Sequence, residues 1–243
     1  MQYGLIIQAR YNSTRLPGKV LKKIGKHTIL NILIKRLSKL NKNYKIIVAT
    51  GTSKNDDKKN DYLKKKKIPI FRGSNKNVLS RFFECAKINK FKNIIRITAD
   101  CPLIDCKILE KTIKLFENKN LDYASNTMPP TYPDGLDVEV FTFSALKKAY
   151  KHAKNTHDLE HVTPYIRRNK FFKKDNLVNS ENYSNLRWTL DEPRDLNFLN
   201  ELDKKIDLIR ADYKDILECL KKYPYISKIN WDITRNEGAK IGQ

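Results

Sequence analysis

Apolar residues come in short runs along this chain, separated by longer stretches of mixed polarity. Leu5-Ile6-Ile7, Ile46-Ile47-Val48-Ala49, Ile68-Pro69-Ile70-Phe71 and Ile94-Ile95-Arg96-Ile97 have the length and branched-aliphatic content of buried strands. Between them the spacing changes to the helical period. Ile29, Leu30, Leu33, Leu37 and Leu40 fall on one stripe, and Val78, Phe82, Ala86 and Asn89 on another, with Phe83 beside it. Strand alternating with helix predicts an α/β fold: a mainly parallel sheet with helices on both faces. Such sheets bind ligands beyond the carboxyl ends of their strands, so the loops after the first and fourth strands are where chemistry is expected.

The rhythm changes after about Asn120. Leu121 to Ser125 reads as a fifth strand, Pro129-Pro130-Thr131-Tyr132-Pro133 breaks the chain, and Val138-Glu139-Val140-Phe141 resumes an extended pattern. A helix from Ser144 to about Lys154, another from Asp158 to Asn169 and a strand from Leu186 to Leu190 are expected next. The chain of 243 residues reads as one domain spanning 1–243, with a small inserted lobe at about 126–185 over the sheet's edge. From Pro193 onward it predicts two helices and a polar tail.

A formal net charge of +22 invites a polyanionic partner. The lysines, however, are spread along the whole chain with abundant Asn and Ile, which fits solvated side chains better than a nucleic-acid surface. The run Lys64-Lys65-Lys66-Lys67 has no interleaved aromatics and reads as the exposed end of a helix. Cys85, Cys101, Cys106 and Cys219 have neither C-x-x-C spacing nor disulfide-scaffold density, so reduced thiols in a cytoplasmic protein are expected. The apolar stretch near Met1 is too short for a secretion signal, and none is long enough to cross a bilayer.

The first loop, Gln8 to Lys19, places Arg10, Arg15 and Lys19 at spacings of five and four with Ser13, Thr14 and Gly18 among them. Two guanidinium forks, one ammonium and a glycine that admits close backbone approach suit a triphosphate. The G-x-x-x-x-G-K-[ST] P-loop is absent. Composition alone fits a solvated basic loop equally well.

This loop resembles the Q/P-A-R-x-x-S-T-R-L-P-G-K signature of sugar-activating cytidylyltransferases, nearest to the spore-coat polysaccharide (SpsF-like) family and more distantly to CMP-Kdo and CMP-sialic acid synthetases. Further segments resemble that family in the same order: Arg72-Gly73-Ser74 with Val78-Leu79-Ser80-Arg81-Phe82, Arg96 to Asp105, Tyr132 to Val140, Glu160 to Ile166, and Arg187 to Pro193. The resemblance spans roughly 3 to 200. It implies a Rossmann-like fold, a homodimer, CTP as donor and a hydroxyl of an acidic, sugar-derived acceptor. It further implies that Arg10, Arg15 and Lys19 hold the phosphates, that Gln8, Ala9, Arg72 and Ser74 frame the cytosine with Thr98 nearby, and that Asp100 and Asp191 bind Mg²⁺. Two carboxylates plus phosphate and water oxygens are what that ion ordinarily takes. Tyr11-Asn12 departs from the commoner pairs of the pattern.

For the acceptor, Asp134, Asp137 and Glu139 offer carboxylates to hydroxyls, with Asp137 or Glu139 able to take the hydroxyl proton; His161 and Arg187 are further candidates. Each has a plainer alternative. Asp100 or Asp191 can cap a helix, Glu139 can face solvent and His161 can be structural. His157-Asp158-Leu159-Glu160-His161 also fits the H-x-x-E-H zinc pattern, although its flanking residues follow the cytidylyltransferase resemblance. Two rival classes stay open. A glycosyltransferase of related architecture would ordinarily carry D-x-D, and Thr98-Ala99-Asp100 lacks the first acid; a basic binding protein would bind nucleic acid without CTP.

Overall fold

The computed structural model describes residues 3–9, 15–40 and 44–235. Its central sheet has seven strands: β1 (Tyr3–Gln8), β4 (Tyr44–Gly51), β5 (Ile70–Gly73), β6 (Asn93–Thr98), β7 (Tyr123–Ser125), β8 (Glu139–Thr142) and β9 (Lys174–Asn176). They lie in the order β5-β4-β1-β6-β8-β7-β9, and β2 (Lys23–Ile24) with β3 (His27–Thr28) forms a separate hairpin. β5, β4, β1 and β6 are parallel; β8 runs antiparallel to β6 and β7, and β9 is parallel to β7.

The chain moves outward from β1 to β4 and β5, then returns across β1 to lay down β6 on its other side. That reversal opens a crevice at the carboxyl ends of β1 and β6. Gln8 is in register with Ala49 on one side and Thr98 on the other, so the loops after β1 and β6 leave the sheet level with each other.

Alternation within β1 sorts side chains between two cores. Leu5 and Ile7 pack with α1 (Ile29–Leu37), Leu63 of α2 (Asp57–Lys65) and α4 (Cys106–Asn118). Ile6 faces the other layer, α3 (Val78–Ile88), α5 (Phe143–His152), α6 (Thr156–His161) and α7 (Pro164–Arg168). Helices therefore cover both faces, and Lys64 to Lys67 lie exposed at the end of α2, as the sequence indicates. A third core joins α8 (Pro193–Asp203), α9 (Tyr213–Lys222) and α10 (Pro224–Ser227) to Leu16, Ile29, Leu103 and Trp188. Among the described residues no helix is long and apolar enough to span a membrane.

Four expectations are corrected. The segment 126–185 does not stand apart as a lobe, because it supplies β8 and β9 to the central sheet. The helix expected over 158–169 breaks in two, since Val162 has φ +71° and Pro164 opens α7 with no amide to continue the ladder. The expected strand at 186–190 reduces to a single bridge between Asp134 and Arg187; beyond it the Leu190 amide turns to the Asp100 carbonyl at 2.8 Å. The tail after α9 folds back through α10, burying Asn230 and Ile233. β9, Lys174-Asp175-Asn176, has no apolar alternation that could have announced it.

Gly135 makes the Asp134–Arg187 bridge possible. Its φ is +107°, and an added Cβ would meet Thr189 N and Trp188 C at 2.7 Å. Gly135→Ala is expected to cost about 3 kcal/mol from backbone strain and overpacking, lowering Tm by roughly 6–12 °C in a calorimetric scan. An unchanged Tm would show that the two loops separate at little cost.

Candidate active site

Leu16 and Val20 are buried in two different cores and tether the end of the first loop. Between them Gly18 takes φ +67°, the left-handed turn that starts the 3₁₀ segment Lys19–Leu21, and the Lys19 side chain is left only 9% exposed. Its ammonium lies 2.6 Å from Asp100 Oδ2 and 2.5 Å from Asp191 Oδ1. Two carboxylates remote in sequence thus share one cation. Burial works against the charged ammonium, but the charges and hydrogen bonds of the two aspartates outweigh it and raise the Lys19 pKa. Burial likewise opposes Asp100 ionisation, and the Lys19 charge with hydrogen bonds from Lys19 and Thr98 prevails, holding Asp100 below the usual carboxylate range.

Backbone contacts account for the convergence. Asp100 follows β6, and its carbonyl accepts the Leu190 amide at 2.8 Å and the Thr189 hydroxyl at 3.2 Å, which puts Asp191 alongside. Neither aspartate caps a helix. Asp105 caps α4, while Glu192 caps α8 in a capping box with Asp195. Asp195 also accepts the Asp191 amide at 2.8 Å and both arms of Arg187, at 2.8 and 3.0 Å. Asn230 completes this buried network, donating to Asp195 Oδ1 at 2.9 Å and to the Arg187 carbonyl at 3.1 Å.

Arg15, at the cleft surface, lies 3.3 Å from Asp191 and 3.6 Å from Glu192. Arg10 lies outside the described residues. Asp134 sits 3.5 Å from Arg187 and 3.7 Å from Arg235, and Asp137 pairs with Arg235 at 2.5 Å. Burial first, then the neighbouring charges of Asp137 and Asp100, push Asp134 up to about 7 against the pull of both arginines. Asp134 is therefore a carboxyl that can donate as well as accept near neutral pH.

Of the remaining predicted residues, Thr98 bonds to Asp100 and Arg187 reaches Asp191 at 3.8 Å, while the side-chain bonds described for Gln8, Arg72, Ser74 and Glu139 go to other partners. The Gln8 side-chain oxygen accepts from Arg96 at 2.8 and 3.1 Å; its carbonyl accepts the Ala99 amide, and the Ala9 amide donates to Ala49. Thr98 Oγ1 lies 3.1 Å from Cys101 Sγ. Arg72 and Ser74 lie at the end of β5, two strands from β1; Arg72 contacts Gly51 and Asp57, and Ser74 Oγ accepts the Asn77 amide. Glu139 neither faces solvent nor offers an open carboxylate, being buried under Arg96, the Tyr123 hydroxyl at 2.7 Å and the Thr163 hydroxyl at 2.5 Å. Arg187 is buried in the network beneath Asp191. His161 lies on α6 with its ring 4.7 Å from that of His157, and among the described residues no group of three or more metal-ligating side chains surrounds them.

Sequence inspection missed Asp195, Asn230 and Arg235. Asp195 carried a signal, its capping-box spacing from Glu192; Asn230 and Arg235 had none in a chain so rich in Asn and basic residues. A broader open depression of about 750 Å³ lies elsewhere, between Lys26, Lys35 and residues 203–210, and contains none of these carboxylates.

The donor set fits Mg²⁺. Asp100 and Asp191 offer hard oxygens, each side chain is a quarter exposed, and both already face one cation. A cytidylyltransferase family model matches residues 5–226. An uncharacterised protein of Methanocaldococcus jannaschii is 40% identical over 239 residues, 97% of each chain. The spore coat polysaccharide biosynthesis protein SpsF of Bacillus subtilis is 34% identical over 172 residues, 67% of this chain and 68% of its own. The 3-deoxy-manno-octulosonate cytidylyltransferase of Fusobacterium nucleatum is 38% identical over 130 residues, 51% of each chain. Among solved structures, a cytidylyltransferase from Leptospira borgpetersenii superposes with TM-score 0.88 at 34% identity, over 97% of this chain and 99% of that one.

Lys19→Met should leave two carboxylates facing each other without their counter-ion, costing about 2 kcal/mol, or roughly 4–8 °C in Tm. Millimolar Mg²⁺ should recover more of that loss in the variant than it adds to the wild type. An equal response of both proteins in a thermal scan would mean that the pair does not bind the ion.

Proposed function

Because this chain belongs to the cytidylyltransferase family, we propose that it transfers CMP from CTP to a hydroxyl of an acidic, sugar-derived acceptor and releases pyrophosphate. The observation that carries this reading is the Lys19 ammonium set between Asp100 and Asp191, with Arg15 on the same carboxylate, at the carboxyl edge where β1 and β6 part.

In the transfer, an acceptor oxygen forms a bond to the α-phosphorus, the α–β anhydride breaks, and negative charge builds on the departing pyrophosphate. Lys19 and Arg15 supply fixed positive charge for that development; binding of the triphosphate would draw them from the aspartates to the phosphates. Asp100 and Asp191 would hold Mg²⁺, which when bound neutralises phosphate charge. Arg187, anchored on Asp195, keeps Asp191 in place by charge at 3.8 Å while the Asp195 carboxylate fixes its backbone. Of the two carboxylates considered for the hydroxyl proton, Asp137 keeps about a third of its side chain exposed and Glu139 is sealed, so we assign that role to Asp137. Arg10, in the same first loop, would add a further phosphate contact.

The acidic sugar is supported by the octulosonate cytidylyltransferase relative, and a role in surface polysaccharide synthesis by the SpsF relative. The four free cysteines support a reducing, cytoplasmic setting. We further propose a homodimer joined through the part of the chain around β9, an open sheet edge beside exposed Met128 and Phe171.

At one hundred times its Kd, CTP with Mg²⁺ should stabilise the protein by about 2.7 kcal/mol, roughly 5–10 °C, with other nucleoside triphosphates giving less. Pyrophosphate release measured over a panel of 2-keto sugar acids should fall about 10²–10³-fold in Asp100→Asn. Full turnover in that variant would remove the assignment of Asp100, and a triphosphate other than CTP winning the screen would remove the reaction.

A further inference from the structure

The family match ends at residue 226, yet the chain continues into a strap from 228 to 235 that returns to the active site. The strap is pinned at both ends. Asn230, 1% exposed, bonds to Arg187 and Asp195; Arg235 bonds to the Tyr132 carbonyl at 3.2 Å and to Asp137 at 2.5 Å. Between these anchors Ile233 is buried and Asp232 pairs with Arg194 at 2.7 Å. The backbone around Trp231 is thereby held in place, and its indole is 70% exposed.

Trp231 lines a pocket of about 190 Å³ between the strap and residues 184–187. Ser184, Asn185 and Thr234 contribute groups that both donate and accept hydrogen bonds; Asp134 and Arg235 lie in the wall shared with the carboxylate cluster. Formal charge in the lining balances, with Asp134 and Asp232 against Arg187 and Arg235, and both arginines are already committed to carboxylates. An anion entering here would gain no free cation and would meet the Asp232 carboxylate, with Asp134 beside it able to donate to a hydroxyl as well as accept from one. A polyhydroxylated ring has the complementary chemistry: hydroxyls that donate and accept around its rim, and a C–H face for an indole held ready on a fixed backbone.

We infer that this pocket is a carbohydrate subsite, in which Trp231 stacks on the neutral, hydroxylated body of the acceptor while its reacting hydroxyl lies on the far side of Asp134 and Arg235, at the metal-binding aspartates. The inference rests on the cytidylyl-transfer reading for its link to catalysis, and the pocket itself is testable by binding alone.

The chain has two tryptophans, and Trp188 is fully buried, so a change in the emission of exposed indole on ligand binding reports Trp231. Full-length protein titrated with neutral pentoses and hexoses and with 2-keto-3-deoxy sugar acids should show a saturable blue shift with at least one of them, absent in Trp231→Ala. With a sugar that is turned over, Trp231→Ala should raise the acceptor KM by about tenfold or more and leave the CTP KM within about twofold, and Trp231→Tyr should restore most of the loss. No emission change with any sugar overturns the subsite, as does an unaltered acceptor KM in Trp231→Ala. Conversion of a dimer to monomers by the same variant in light scattering would place the indole in a subunit contact instead. Failure of CTP to stabilise the wild type would count against the transfer reaction and leave the emission result to decide the pocket separately.

Discussion

A single ammonium between two carboxylates organises this candidate active site. Asp100 and Asp191 come from opposite halves of the chain, and in water two anions at such range would repel. With Lys19 buried between them, the three groups satisfy one another: both aspartates favour the charged state of Lys19, and Lys19 favours that of Asp100. That arrangement is suited to exchange: a triphosphate offers Lys19 more negative charge than the aspartates do, and a divalent ion offers the aspartates more positive charge than Lys19 does. The contact between Lys19 and the two aspartates and the roles we propose for them are alternative pairings of one set of charges.

Such a cluster keeps its shape only if its supports do not move. Behind Asp191 a second layer of charge, Arg187 against Asp195, is buried and fully engaged, with Asn230 bonded to both residues. Removing two ions from water costs several kcal/mol each, and the bidentate geometry with the capping amides of α8 offsets that cost. The same contacts tie residues 230–235 to the candidate site. Asn230 braces the layer beneath Asp191 and Arg235 pairs with Asp137, so the candidate site is closed by residues more than two hundred positions from Lys19.

The three carboxylates expected to meet the acceptor show why residue type alone does not assign a role. Asp134, Asp137 and Glu139 are three carboxylates within six residues, yet their surroundings differ. Burial and neighbouring charge raise Asp134, Asp137 stays partly open beside Arg235, and Glu139 is consumed by Arg96, Tyr123 and Thr163 as the link between β6, β7 and α7. A carboxylate with its lone pairs taken by three protein donors has little left for a substrate hydroxyl.

By itself the sequence determined the α/β class and the four parallel strands with their intervening helices, and its motifs pointed to Arg15, Lys19, Asp100 and Asp191, which the fold brings together. These follow from local signals: apolar runs and helical stripes fix which face of each element is buried, and the ordered motifs mark the candidate loops. Tertiary structure alone decided what depends on groups meeting across the chain. The polar strand β9 exists because β7 has an edge to pair, and the would-be strand at 186–190 is diverted because the Asp100 carbonyl takes the Leu190 amide. Glu139 and Arg187 became internal supports, while Asn230 and Arg235 entered the site with no local pattern to announce them. Spacing along a chain records what one element needs for its own formation; which charge neutralises which is set only when distant elements pack.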